Sequence, residues 1–226
     1  MIWHTIECVI NRDAMFVPLY FKTRQMPCLI VGGGQVAARK IEMLLAAGCL
    51  LTVVAPAIDD SIRKAVDAGV LNWRARAYAA GDCEGFQLVV AATPHEGVNR
   101  AVSLEARRLG IPVNVVDAPE LCTVMFAAVW RDGPLTISVS SGGAAPFMAA
   151  EIRDRISRVV DGMGAWVEAA GKFRAAVRSE VADPAERDRL YRLFAARTHF
   201  LLPENLPESQ ALADWLKWLN LSGPSE

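Results

Sequence analysis

The residues best suited to chemistry begin with a glycine run. Gly32, Gly33 and Gly34 follow the apolar stretch Cys28-Leu29-Ile30-Val31 and precede Gln35-Val36-Ala37-Ala38-Arg39-Lys40. The frame Gly32, Gly34, Ala37 reads G-x-G-x-x-A. Gly32 permits a tight turn, Gly34 lets a pyrophosphate approach the backbone at a helix N-terminus, and Ala37 keeps that helix close to its strand. Gly32, Gly33, Gly34, Gln35 and Val36 are therefore cofactor-binding candidates, against the plainer reading of a structural turn. Asp117 is the candidate for acid–base work, because a carboxylate in a partly desolvated cleft beside a dinucleotide can take or give a proton. On local pattern alone, an Asx turn before Ala118-Pro119 reads equally well. His95 is a second possible base, although a histidine at a loop or helix start is more often structural. Ser140 and Ser141 precede Gly142-Gly143, a turn that could offer hydroxyls and N–H groups to an anion or simply join a strand to a helix.

These residues need elements to position them. After the first strand, the spacing of Val36, Ala37, Ile41, Leu44 and Leu45 predicts a helix that Gly48 ends. Leu51–Ala55 reads as a second strand stopped by Pro56. A helix capped by Asp59, Asp60 or Ser61 runs through Ala68, and a charged edge strand covers 71–76. Leu88–Ala92 is a further buried strand. A helix from Val98 to Leu109 and a strand over 112–116 complete the alternation. Such a pattern implies parallel βαβ units with right-handed crossovers, giving one open Rossmann-type sheet in order 3-2-1-4-5. Ligands then bind at the carboxyl ends of the strands, where Gly32–Gln35, Ala55, Pro56, Thr93, His95 and Asp117 fall. No Asp or Glu ends the second strand, so the usual ribose carboxylate is missing there. Asp59 or Asp60 could substitute, and the position leaves NAD and NADP open.

Beyond Asp117 the pattern changes. Segments 125–130 and 135–140 flank Arg131-Asp132-Gly133-Pro134 and predict a hairpin. Helices are expected over 146–160, 165–181 and from Asp183 to about His199, where Leu202-Pro203 and Leu206-Pro207 intervene before a last short helix carrying Leu212, Trp215, Leu216 and Leu219. The expected organisation is a possible extension at 1–14, a nucleotide-binding domain at 15–117, a hairpin region at 118–145 and a helical domain at 146–226. The interspersed Arg, Asp and Glu residues of that last region read first as a solvated face.

With 226 residues, 53% hydrophobic and 22% charged, the chain has an ordinary globular composition. Its net charge of -1, without a long basic run, does not point to nucleic acid. Its 5 cysteines are scattered, which fits a reducing compartment and argues against a structural metal site. The longest apolar stretch, 43–58, is broken by Gly48 and Pro56, so no membrane span is expected, and with no signal-peptide pattern a cytoplasmic location is expected. The sequence has no G-x-S-x-G elbow.

Several segments in order resemble one family, the precorrin-2 dehydrogenases that include the N-terminal module of siroheme synthases. They are Val31-Gly32-Gly33-Gly34-Gln35-Val36-Ala37-Ala38-Arg39-Lys40, Leu51–Pro56, Ala91-Ala92-Thr93 with Asn99, Asn114–Pro119, and Val139-Ser140-Ser141-Gly142-Gly143 with Pro146. The likeness covers about residues 15 to 160. It implies oxidation of precorrin-2 to sirohydrochlorin with NAD⁺ as hydride acceptor, and in some members insertion of Fe²⁺, with iron as a substrate. It also implies a homodimer, Asp117 as general acid/base, and substrate binding at Ser141 and Gly142. It further suggests that the missing ribose carboxylate is normal here. Two features depart from the pattern: Ala127 stands where the family often has proline, and members commonly begin near the equivalent of Met15. Two other readings stay open from the residues themselves: a dehydrogenase of a different small substrate, and a non-catalytic NAD-responsive module whose tail contacts a partner protein.

Overall fold

The computed structural model describes residues 16–197, 206–207 and 211–220. The proposed extension at 1–14, His4, His199 and Leu202-Pro203 lie outside the described residues. The chain divides into two compact units, Met1–Phe126 and Ala127–Glu226.

The first unit is a five-stranded parallel sheet. Its strands are β1 (Pro27–Val31), β2 (Leu50–Val54), β3 (Leu71–Arg74), β4 (Leu88–Ala91) and β5 (Val113–Val115), in the order β3-β2-β1-β4-β5. Helices α1 (Gln35–Ala46), α2 (Asp60–Asp67) and α3 (Glu96–Arg108) make the crossovers. β1 lies at the centre, with Ile30 paired to both Val53 and Val90. Successive side chains of a strand point to opposite faces, and the core divides accordingly. Cys28, Ile30, Val53 and Val90 join Ile41 and Leu44 of α1 and Ile62 of α2 in one layer. Leu29, Val31, Val89 and Ala91 join Val102 and Ala106 of α3 in the other. A sheet covered on both faces requires near-continuous apolar strands, and all four residues of β4 are buried.

The helix ends follow local chemistry. Asp59 Oδ1 accepts the Ser61 N–H at 3.0 Å and so caps α2. α1 closes at Gly48, whose φ is 78°, with its N–H donating to Leu45 O. α3 begins at Glu96, two residues before the expected Val98, because the backbone N–H of His95 is held by Thr93 Oγ1 at 3.2 Å and the turn closes there. The β3–β4 connection is fastened by buried Asp82, which accepts Arg76 Nη1 at 2.6 Å and the Ala79 N–H at 2.9 Å.

The second unit begins with an antiparallel pair, β6 (Ala128–Asp132) and β7 (Leu135–Val139), turned at Gly133. β6 starts three residues later than the expected 125, because Val124 and Phe126 pack against the core of the first unit instead of pairing. α4 (Pro146–Val160) lies against both strands, followed by α5 (Met163–Glu180), α6 (Pro184–Arg197) and α7 (Leu212–Trp218). The Gly164 N–H donates to Asp132 Oδ2 at 2.7 Å, and a Cβ there would lie 2.2 Å from Asp132 O. Glycine is therefore what lets α5 approach the hairpin. An aromatic core of Trp166, Phe173, Phe194, Trp215 and Trp218 joins α5, α6 and α7, with Phe173 stacked on Phe194 at 4.9 Å.

Candidate functional site

Each of the three glycines in the loop after β1 has its own reason. Gly32 has φ 125°, and a Cβ on it would lie 2.3 Å from Ala92 O. A Cβ on Gly33 would lie 2.1 Å from Ala57 O, so this residue packs against the loop after β2. Asp59 N–H donates to Gly33 O at 2.7 Å and ties the two loops together. Around Gly34 there is nothing within 4 Å of an added Cβ. Gly34 is the N-cap of α1, with no side chain serving as the cap. The first turn of α1 therefore faces open space with backbone donors and the positive end of the helix dipole, the environment an anionic phosphate needs. The residues present fit a dinucleotide pyrophosphate. Gln35 and Val36 are exposed beside it.

The neighbouring strand ends complete one edge. Ala55 is buried, and its carbonyl accepts Trp73 Nε1–H at 3.0 Å, while Pro56 is exposed. Thr93 is fixed by buried Asn99: the Thr93 hydroxyl donates to Asn99 Oδ1 at 2.8 Å and Asn99 Nδ2–H donates to Thr93 O at 2.9 Å. Asp117 stands just beyond β5, exposed and with φ 57°. The carboxyl edge of the sheet thus carries Gly32–Gln35, Ala55, Thr93 and Asp117 in one unit. His95 is on the same edge and exposed.

Two further residues bear on Asp117 that the spacing of motifs did not single out. Lys40 of α1 lies 4.5 Å over the Phe126 ring, and burial pushes its ammonium below the ordinary lysine range, with its electrostatic interactions with Cys122 and Asp117 acting the other way. Cys122 is half-buried, and its thiol is pushed up by that burial. Lys40 was visible only as part of the Arg39-Lys40 pair. Nothing in the local sequence marks Cys122, since its partners, backbone groups of Val115 and Ala118 and the Asn114 amide, lie four to eight residues away.

Ser141 and Gly142 belong to the second unit, in the turn between β7 and α4. Ser141 Oγ accepts the Ala145 N–H at 3.0 Å, and Ser140 Oγ accepts the Gly142 N–H at 3.1 Å. Both N–H groups are thus satisfied inside the turn, and the Ser140 and Ser141 hydroxyl protons are the groups left to offer a ligand. Among the described residues, no three His, Cys, Asp or Glu side chains form a metal cluster, and no helix is long and apolar enough to cross a membrane.

The sheet order and the glycine cradle define a dinucleotide-binding unit of the NAD(P) type. A family model for NAD(P)-binding domains matches residues 19–128, and the sirohaem biosynthesis protein central model matches residues 132–158. The chain is thus similar to NAD(P)-binding domains over its first unit and to the sirohaem biosynthesis central domain just beyond it. The siroheme synthase of Methylococcus capsulatus is 42% identical over 173 residues, which is 76% of this chain and 36% of that protein. That of Stutzerimonas stutzeri is 42% identical over 76% of this chain and 37% of its own length. The chain therefore spans little more than a third of the length of these relatives. The solved structure of SirC, precorrin-2 dehydrogenase, superposes with a TM-score of 0.72 at 20% identity, covering 91% of this chain and 99% of that one, and shares the fold.

Proposed function

We propose that this chain oxidises precorrin-2 to sirohydrochlorin, with Asp117 as the proton-accepting group. The observation that carries the reading is the joint placement of an open phosphate cradle at Gly34 and a carboxylate at Asp117 on one sheet edge, in a chain whose residues 132–158 match the sirohaem biosynthesis central model. Gly32–Gln35, Ala55 and Thr93 hold the dinucleotide, which when bound supplies the hydride acceptor. Asp59, whose backbone N–H is tied to Gly33 O while its carboxylate caps α2, is the candidate carboxylate for the ribose hydroxyls. A Brønsted base must take up the proton that accompanies dehydrogenation, and an Asp117 carboxylate oxygen is the acceptor.

The Ser141 hydroxyl is proposed to donate to a substrate carboxylate. The same Asp117 carboxylate is the candidate base for pyrrole N–H protons when Fe²⁺ enters as a second substrate. The functional form is proposed to be a homodimer in a reducing compartment. The test is a spectrum of the purified chain with precorrin-2 and NAD⁺, repeated with Fe²⁺. Sirohydrochlorin supports the reading, siroheme adds chelation, and neither product ends it.

A further inference from the structure

Asp117 holds a left-handed backbone, which a residue with a Cβ keeps only where its surroundings over-determine it. Aspartate tolerates that region better than most residues, and the Ala118 N–H closes the turn on Val115 O at 3.4 Å. A second hold comes from further along the chain. Beyond Asp117 a single 3-10 turn, Pro119–Leu121, reverses the backbone, and residues 122–124 return alongside β5. Cys122 Sγ reaches back into the loop. It accepts the Val115 N–H at 3.1 Å, and its own S–H can donate to Val115 O at 3.2 Å or to Ala118 O at 3.4 Å. One sulfur atom therefore spans the backbone on both sides of Val116-Asp117. The raised thiol keeps its proton, so the donor half of that span is present at ordinary pH.

The returning segment is itself pinned. Ser103 Oγ–H donates to Leu121 O at 2.7 Å, and Arg107 Nη2–H donates to Glu120 O at 3.0 Å and Cys122 O at 3.3 Å. Thr123 Oγ1 accepts the Val113 N–H at 2.8 Å. α3 and β5 thus fix where the Cys122 sulfur stands.

We infer that Cys122 is the positioning residue for Asp117: its thiol holds the Val115–Ala118 turn in the conformation that presents the carboxylate at the sheet edge. The inference rests on the reading of Asp117 as the proton acceptor. Cys122 touches neither substrate nor cofactor in this scheme and acts only through the backbone of the loop.

The test uses the full chain and four variants: Cys122→Ala, Cys122→Ser, Asp117→Asn and the Cys122→Ala/Asp117→Asn double. Losing the hold should lower kcat by roughly tenfold in Cys122→Ala, the range set by releasing a strained backbone residue. NAD⁺ affinity and KM for precorrin-2 should stay within about twofold, since the phosphate cradle is untouched. Cys122→Ser restores most of the turnover, because a hydroxyl both donates and accepts. In the Asp117→Asn background the alanine change should add nothing. A Cys122→Ala loss that recurs in full on Asp117→Asn, or that weakens NAD⁺ binding equally, overturns the positioning role. Hydrogen exchange at the Val115 and Ala118 amides gives a readout without turnover, and faster exchange in Cys122→Ala is expected. If the wild-type chain makes no sirohydrochlorin, the proposed activity fails. Exchange then still decides the clamp: unchanged protection refutes it and faster exchange upholds it.

Discussion

Replacing Gly34 by alanine separates ligand binding from folding more cleanly than any other single change in the loop. An added Cβ meets nothing within 4 Å, and the backbone at φ -86° and ψ -175° is open to any residue. Alanine at an N-cap is worse than glycine, by somewhat under about 1 kcal/mol. Restricting the unfolded chain returns about 0.4–1 kcal/mol, so the net effect on stability is near zero. The methyl nevertheless stands in the space through which a phosphate reaches the first N–H groups of α1. Losing one hydrogen bond to a charged group costs about 1.5–3 kcal/mol, a weakening of NAD⁺ binding by roughly ten- to a hundredfold. Gly33→Ala is the opposite control. Its Cβ would lie 2.1 Å from Ala57 O, so the loop must rearrange and the first unit loses stability. Thermal melting and calorimetric titration with NAD⁺ separate the two effects. A Gly34→Ala protein that binds NAD⁺ as tightly as wild type would refute the assignment of the phosphate site to this helix end.

Other consequences follow from groups outside the loop. Hydrogen bonding from Arg76 holds the Asp82 carboxyl down at about 2. This lowered value adds stability that is present above the ordinary carboxylate value near ~3.9 and is lost as pH falls through about 2. The acid melting of wild type should therefore be steeper than that of Asp82→Asn across that window. Phe173→Ala opens the aromatic core of the second unit, where Phe173 is 1% exposed, and should cost about 3–5 kcal/mol. Because the two units have separate cores, NAD⁺ affinity should hold in that variant at low temperature, and its loss would contradict this division. Burial pushes the Cys28 thiol up to about 12, so alkylation near neutral pH should label it only after unfolding.

Much of the first unit was legible because its determinants are local. The alternation of fully apolar strands with helices gives β3-β2-β1-β4-β5 once crossovers are right-handed, and the glycine frame marks the phosphate loop. The distinct work of the three glycines was less visible. Gly33 is required by the loop after β2, a contact across more than twenty residues that spacing does not encode. The start of β6 was misplaced for a similar reason: Met125-Phe126-Ala127 has strand character, yet Val124 and Phe126 are drawn into the neighbouring core. Asp117 could be read as a candidate but not as a strained residue, because its left-handed backbone depends on Cys122 and on α3. The turn at Ser141 shows the limit most plainly, since the hydrogen bonds that fill its N–H groups depend on backbone geometry and not on residue type alone.

Asp117 is the group on which the proposed reaction depends. Its most direct test is the rate of sirohydrochlorin formation from precorrin-2 and NAD⁺ by wild type and Asp117→Asn, with NAD⁺ affinity measured on the same samples. The prediction is a fall in kcat of an order of magnitude or more at unchanged NAD⁺ affinity. Near-normal turnover in Asp117→Asn would remove this carboxylate from the reaction and contradict the account.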